Sequence, residues 1–360
     1  MFDWLERGQA DAVEATVAAL KANLASPALQ ERGALTLVTL ILTESSRERA
    51  GRAGAVEAIV ATMQRHLSIA SVMKACCQAL RCMTQGNADN VIKAGSAGAV
   101  ECVVTAMRAH AENAGLQTYS CAALCIMTSG NPDNKIKAGS AGAVECVVAA
   151  MRAHAGSADV QRCGCLALGN MTANNADNKI KAGSAGAVEC VVTAMRAHAS
   201  SAGVQDYGCF ALSNMTANNA DNAIKAGSAG AMECFVATMQ RRMSIASVME
   251  ACCRALCYMT DGNADNMIKA GSAGAIECVV AAMRVHAENA GLQEWACIVL
   301  SKVTANADNQ SRACSAGAVK CVVAAMCAHV DNGFMQQAGR DLLDRLGAYT
   351  EISAEVIVNP

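Results

Sequence analysis

Aromatic residues are scarce. Four Phe, four Tyr and two Trp make up 3% of a 360-residue chain. Alanine leads an apolar fraction of 53%, so core contacts must come from small side chains on closely packed elements. Proline is nearly absent, and Pro27, Pro132 and Pro360 interrupt no predicted helix interior. The net charge of −2 supplies no broad basic field, so general nucleic-acid binding is not expected. No uninterrupted apolar run reaches the roughly 18 residues of a membrane span. The first residues, Met1 to Arg7, lack the basic and apolar regions of a signal peptide. Phe2 stands where a myristoylation signal needs glycine. The expected location is the cytoplasm or the nucleus.

What the sequence has is a period. Gly98–Val104, Gly-Ala-Val-Glu-Cys-Val-Val, returns at Gly142, Gly186, Gly230, Gly274 and Gly317, with a weaker form at Gly54 and a weaker one still at Val13-Glu14. The steps are 44 residues, except for 43 from Gly274 to Gly317 and from Val13 to Val56. A fixed period in the forties indicates stacked helical units of the HEAT or armadillo kind.

Asn175–Ala217 serves as the model unit. Asn175-Ala-Asp177-Asn178 is a cluster of helix-capping side chains. A short first helix, Lys179–Ala182, is expected to stop at Gly183, and Gly183-Ser-Ala-Gly186 to turn the chain. The second helix is expected over Ala187–Ala199, with Val188, Val191, Val192 and Met195 on its apolar face. The third is expected over Val204–Met215. The predicted units are 1–41, lacking a clear first helix, then 45–85, 87–129, 131–173, 175–217, 219–261, 263–305 and 306–346. Phe334–Leu346, with Arg340, Asp341, Asp344 and Arg345, reads as a polar terminal helix, and 347–360 as a tail.

The run Asn175, Ile180, Gly183, Gly186-Ala-Val, Val204-Gln205, Gly208 and Ala211-Leu-Ser-Asn214-Met-Thr resembles the armadillo repeat. The resemblance covers roughly residues 10–346. It is similar to the armadillo arrays of large leucine-rich-repeat kinases and of protist repeat proteins. It implies an all-α, right-handed superhelical solenoid of about eight three-helix units, with third helices lining a concave groove.

A longer period overlies the first. Ala61–Val104 and Ala237–Val280 differ at nine of 44 positions, which points to a duplicated four-unit block. Five differences, Lys74/Glu250, Gln78/Arg254, Arg81/Cys257, Cys82/Tyr258 and Gln85/Asp261, share one face of the third helix. A face that tolerates charge reversal and Cys-to-Tyr exchange reads as exposed, and so as the groove face.

In peptide-binding relatives an Asn on this face clamps a peptide backbone, and Asn170 and Asn214 match it. Where nuclear-import receptors carry Trp four residues earlier, this chain has Leu166 and Phe210. Tyr119, Tyr207, Phe210, Tyr258 and Trp295 place half of the ten aromatics on the proposed groove face. Such aromatics serve as binding anchors or pack against the next unit. The expected site is therefore Asn170, Leu166, Tyr207, Phe210, Asn214, Arg254, Tyr258, Tyr119 and Trp295. Asn170, Tyr207, Phe210 and Asn214 are expected to form one patch, and units four to seven to carry most of the affinity.

Other ladders read as structural. Cys102, Cys146, Cys190, Cys234, Cys278 and Cys321 share one register, and Cys77, Cys121, Cys165, Cys209, Cys253 and Cys297 another. Both lie among apolar residues, so both are expected to be buried, reduced and metal-free. Cys82 and Cys163 are placed on the groove. The histidines share one register, with Arg242 there in the sixth unit, and read as cations at a helix C-terminus. Lys93, Lys137, Lys181, Lys225 and Lys269 are expected to form a solvated rim. No nucleophile elbow, phosphate loop or carboxylate pair stands out, and neither a cofactor nor an enzyme is expected. The expectation is a scaffold for a protein or peptide partner. The alternatives are a nuclear transport adaptor of the importin-α type and the detached regulatory arm of a multi-domain enzyme.

Overall fold

The structure, a computed structural model, describes residues 2–348, with side chains described from Asp11 onward. Of the expected tail, 349–360 lie outside the described residues. Twenty-three α-helices and no strands are present among the described residues. The chain opens with α1 (Phe2–Ala22) and α2 (Pro27–Leu40). Triplets follow: α3 (Glu44–Ala53), α4 (Ala55–Arg65), α5 (Ala70–Thr84); α6 (Ala88–Ser96), α7 (Ala99–Ala109), α8 (Ala114–Thr128); α9 (Pro132–Ala141), α10 (Ala143–Ala153), α11 (Ala158–Thr172). Next are α12 (Ala176–Ala185), α13 (Ala187–Ala197), α14 (Ala202–Thr216); α15 (Ala220–Ala229), α16 (Ala231–Arg242), α17 (Ala246–Thr260). The last are α18 (Ala264–Ala273), α19 (Ala275–Val285), α20 (Ala290–Val303); α21 (Ala307–Ala316), α22 (Ala318–Ala328), α23 (Gly333–Arg345). No single helix is long and apolar enough to cross a membrane among the described residues.

Local chemistry sets the helix ends. Asn131 Oδ1 accepts from the Asn134 N–H at 2.9 Å, starting α9, and Asn175 does the same for Asn178 at 2.9 Å. At the other end Gly317 takes φ +81°, and α21 and α22 meet there at 71°. A left-handed residue between two helices favours glycine, which has no Cβ to clash.

The first helix differs from its expected form. α12 spans ten residues, Ala176–Ala185, and runs through Gly183, with the turn at Gly186 (φ +72°). Helical glycine at this register serves packing. At the equivalent Gly139 a Cβ would stand 1.9 Å from Asn178 Oδ1, so the missing side chain makes room for the next repeat.

The described residues form two compact halves, which divide between Cys190 and Val191. In the N-terminal half the third helices pack in sequence, α2 on α5, α5 on α8 and α8 on α11. In the C-terminal half α14 packs on α17, α17 on α20 and α20 on α23. Cys77, Cys121 and Leu124 are fully buried in the first half, and Cys209, Leu212 and Phe235 in the second.

The two cysteine ladders separate. Cys77, Cys121, Cys165, Cys209, Cys253 and Cys297 are buried, as expected. In the other register Cys234 and Cys278 are buried, but Cys102, Cys146, Cys190 and Cys321 are half-buried. That register sits at the solvent edge of the second helix, beside exposed Glu101, Glu145 and Glu189.

Repeats are tied by buried polar side chains. Asn134 Nδ2 donates to Val91 O (3.1 Å) and Met127 O (2.9 Å). Within a repeat, Gln117 Nε2 donates to Met107 O (2.9 Å) and His110 O (3.0 Å), satisfying the end of α7. The lysine ladder is not a solvated rim. Lys93 donates to Gly51 O at 2.9 Å, Lys137 to Gly95 O at 2.6 Å and Lys181 to Gly139 O at 2.6 Å. Each ammonium caps carbonyls of the preceding first helix. The histidines do more than complement a dipole. His110 Nε2 bonds Leu67 O at 2.7 Å, and His154 and His286 bond Ala111 O (2.8 Å) and Met243 O (2.7 Å). In the sixth repeat Arg241, not Arg242, makes this bond, to Ala199 O at 2.9 Å. Arg242 pairs instead with Asp206 at 2.9 Å.

Candidate peptide-binding surface

Tyr119, Leu166, Asn170, Tyr207, Phe210, Asn214, Arg254, Tyr258 and Trp295 are all half-buried on third helices. Helical spacing explains this. On α14, Tyr207, Phe210 and Asn214 are three and four residues apart and share a face, whereas Gly208, Cys209, Ala211 and Leu212 are buried between them.

In the N-terminal half α8 is flanked by α5 and α11. Lys74 Nζ of α5 stands 5.9 Å from the centre of the Tyr119 ring, within cation–π range. Asn170 Nδ2 of α11 donates to Cys125 O at 3.0 Å and contacts Cys125 Sγ at 3.2 Å. Burial pushes the Cys125 thiol up to about 12, and the bond from Asn170 opposes that shift. The Asn170 amide thus already serves the α8–α11 contact. Leu166 lies one turn before it on the same face. Cys163, expected in the groove, is instead 4% exposed, and burial raises its pKa. Cys82 is half-buried.

In the C-terminal half the face runs over α14, α17 and α20. Arg254 Nε of α17 donates to Ser213 Oγ of α14 at 3.1 Å. Asn214 Nδ2 donates to Phe210 O of its own helix at 3.1 Å. Tyr258 and Trp295 meet edge-to-face, ring centres 5.8 Å apart at 64°. Lys302 of α20 forms an ion pair with Asp261 at the end of α17. The nearby Cys257 thiol is pushed up to about 11 by burial, with Lys302 opposing the shift.

Arg254, Tyr258 and Trp295 are therefore brought together with the helix that carries Tyr207, Phe210 and Asn214. Asn170, Leu166 and Tyr119 belong to the N-terminal half. Sequence reading missed Ser213 as the partner of Arg254, and the ion pair between Asp261 and Lys302. The 44-residue period could have aligned them, but contact across helices depends on packing. No group of three or more His, Cys, Asp or Glu side chains able to hold a metal is present among the described residues.

The family model described as the C-terminal domain of zer-1 homolog-like proteins matches residues 105–269. No curated protein matches the chain in sequence. Among solved structures, an engineered protein is 18% identical with a TM-score of 0.70, over 93% of this chain and 88% of its own. A designed armadillo repeat protein is 21% identical with a TM-score of 0.59, over 69% of this chain and 99% of its own. A chain from work on a conserved phosphorylation switch controlling the interaction between cadherin and beta-catenin is 16% identical with a TM-score of 0.75, over 93% of this chain and 60% of its own.

Proposed function

We propose that this armadillo-repeat chain is a non-catalytic scaffold that holds an extended peptide or protein segment on the face of its third helices. The observation that carries the reading is the α14–α17–α20 surface. There Tyr207, Phe210, Tyr258 and Trp295 keep half-exposed rings in a chain with ten aromatics in all. Leu212, Met215, Leu256, Met259 and Leu300 already fill the core positions of these helices, and the four rings stand outside that core. Half-exposed rings flanked by a guanidinium and an amide suit an apolar anchor with backbone hydrogen bonds beside it. Arg254 favours an acidic residue in the bound segment. Twenty cysteines with no disulfide among the described residues suit a reducing compartment for this work.

The test is to select displayed extended peptides against the intact chain and measure their binding to variants. Phe210→Ala/Tyr258→Ala and, separately, Asn214→Ala are the variants. Loss of a true anchor costs about 2 kcal/mol, roughly thirtyfold in affinity. Selected peptides that bind both folded variants as well as wild type would remove this face from consideration.

A further inference from the structure

Two buried thiols touch across a repeat boundary. Cys209 Sγ of α14 and Cys252 Sγ of α17 stand 3.4 Å apart. Both residues are 0% exposed. Their helices pack directly on each other, as successive third helices of the C-terminal half. The register explains the contact. A cysteine of one third helix meets the residue 43 positions later on the next, and Cys77 Sγ contacts Ser120 Oγ at 3.4 Å in the same way. At the position shared by Ser120 and Cys252, three other repeats carry Gly164, Gly208 and Ala296. Only at Cys252 does the residue 43 positions earlier bring a second cysteine to that register.

The duplicated block supplies a comparison within the same chain. Cys76-Cys77 of α5 and Cys252-Cys253 of α17 are copies, 176 residues apart. Cys76 is as deeply buried as Cys252, at 0% exposure. The residue of α2 that corresponds to Cys209 is Gly33. One copy therefore has a sulfur at the facing register, and the other has a glycine there.

We propose that Cys209 and Cys252 form a modification site, a dithiol that hydrogen peroxide converts to a disulfide joining the fifth and sixth repeats. Cys209 Sγ attacks one peroxide oxygen, and the O–O bond breaks. The departing hydroxide takes the Cys209 proton and leaves as water, so Cys209 becomes a sulfenic acid. Cys252 Sγ then attacks the Cys209 sulfur. The S–S bond forms, the S–O bond breaks, and hydroxide leaves with the Cys252 proton as a second water. Each sulfur gives up one electron, and the two peroxide oxygens are reduced. The contact sets the order of events. The hydrogen bond to Cys209, with burial, pushes the Cys252 pKa well above its ordinary value, so Cys252 keeps its proton and Cys209 reacts first. Burial excludes bulky thiols and second chains from the sulfenic acid, whereas Cys252 already touches it. In a reducing compartment such a bond is transient, and exchange with a small thiol reopens it. The bond ties together the helices that carry Phe210 and Tyr258, but the inference does not depend on the function proposed for that surface.

The test uses the intact folded chain with exposed Cys314 and Cys327 first blocked by iodoacetamide. It is titrated with hydrogen peroxide, quenched with catalase, denatured in a second alkylating agent, digested without reduction and read by mass spectrometry. The expected product is a Cys209–Cys252 linked peptide, lighter by two hydrogens than the pair of thiol peptides and separated by dithiothreitol. It should accumulate at peroxide doses about tenfold below those that oxidise Cys76, which shares the burial but has no facing sulfur. Cys252→Ser recreates the pairing of Cys77 with Ser120 and should stop Cys209 at the sulfenic acid, which dimedone traps. If that variant melts early, the wild-type map decides, with Cys76 as the internal reference. Cys209 and Cys252 recovered as free thiols at doses that oxidise Cys76 would overturn the proposal. So would a link from Cys209 to Cys234, or a Cys209–Cys252 link that forms only in urea.

Discussion

Gly95 leaves the space that Asn134 fills: a Cβ on Gly95 would stand 1.8 Å from Asn134 Oδ1. The Asn134 amide in turn closes the first helix of one repeat onto the next through Val91 O and Met127 O. Alanine is the better helix former by about 1 kcal/mol, so Gly95→Ala should stabilise if only local propensity counted. The expected result is a net loss of about 1–3 kcal/mol, because the asparagine must move and leave buried carbonyls unpaired. Urea unfolding checks it, and a higher midpoint in the variant would show that Asn134 adjusts without loss.

Leu212 is fully buried on α14, two positions from half-buried Phe210 on one side and Asn214 on the other. Leu212→Ala is expected to cost about 2–5 kcal/mol. Ile180→Ala, at 60% exposure, should change stability by less than about 0.5 kcal/mol. Denaturant melts of the two variants beside wild type test the pair, and equal effects would contradict the burial pattern.

The thiols should label in three groups. Exposed Cys314 and Cys327 react first, half-buried Cys102, Cys146 and Cys190 next, and buried Cys121 and Cys165 only as the chain opens. Mass spectrometry of a timed alkylation reads the order. Rapid modification of Cys165 in folded protein would refute it.

Alkali should unfold the protein for the same reason. Burial pushes Cys77, Cys125 and Cys297 up to about 12, whereas unfolded thiols titrate near about 8.5. The folded state then holds protons that the unfolded state has released. The stabilisation is fully present below the unfolded value and is lost as pH rises through the folded values. Stability measured at fixed urea should fall steadily above about pH 8.5, and replacing Cys77 and Cys297 with Ala should flatten that fall.

The period of 44, the asparagine caps and the faces of the third helices were legible from the residues, because they rest on spacing within one helix or one turn. Tyr207, Phe210 and Asn214 could be placed on a half-exposed face for that reason. The meaning of the ladders was not. Lys137 reads as a surface cation until Gly95 O stands 2.6 Å away, and His110 reads as a helix-end charge until it meets Leu67 O at 2.7 Å. Each partner lies 42 or 43 residues earlier in the chain, and that distance closes only when one repeat stacks on another. The same holds for Gly183, an apparent helix stop that lies inside α12. The isoleucines show the reverse case. Ile92 looks like core by its chemistry, yet its neighbour Val91 is buried while Ile92 remains in water. An apolar side chain is buried where another helix covers it, and that coverage was decided by the tertiary structure.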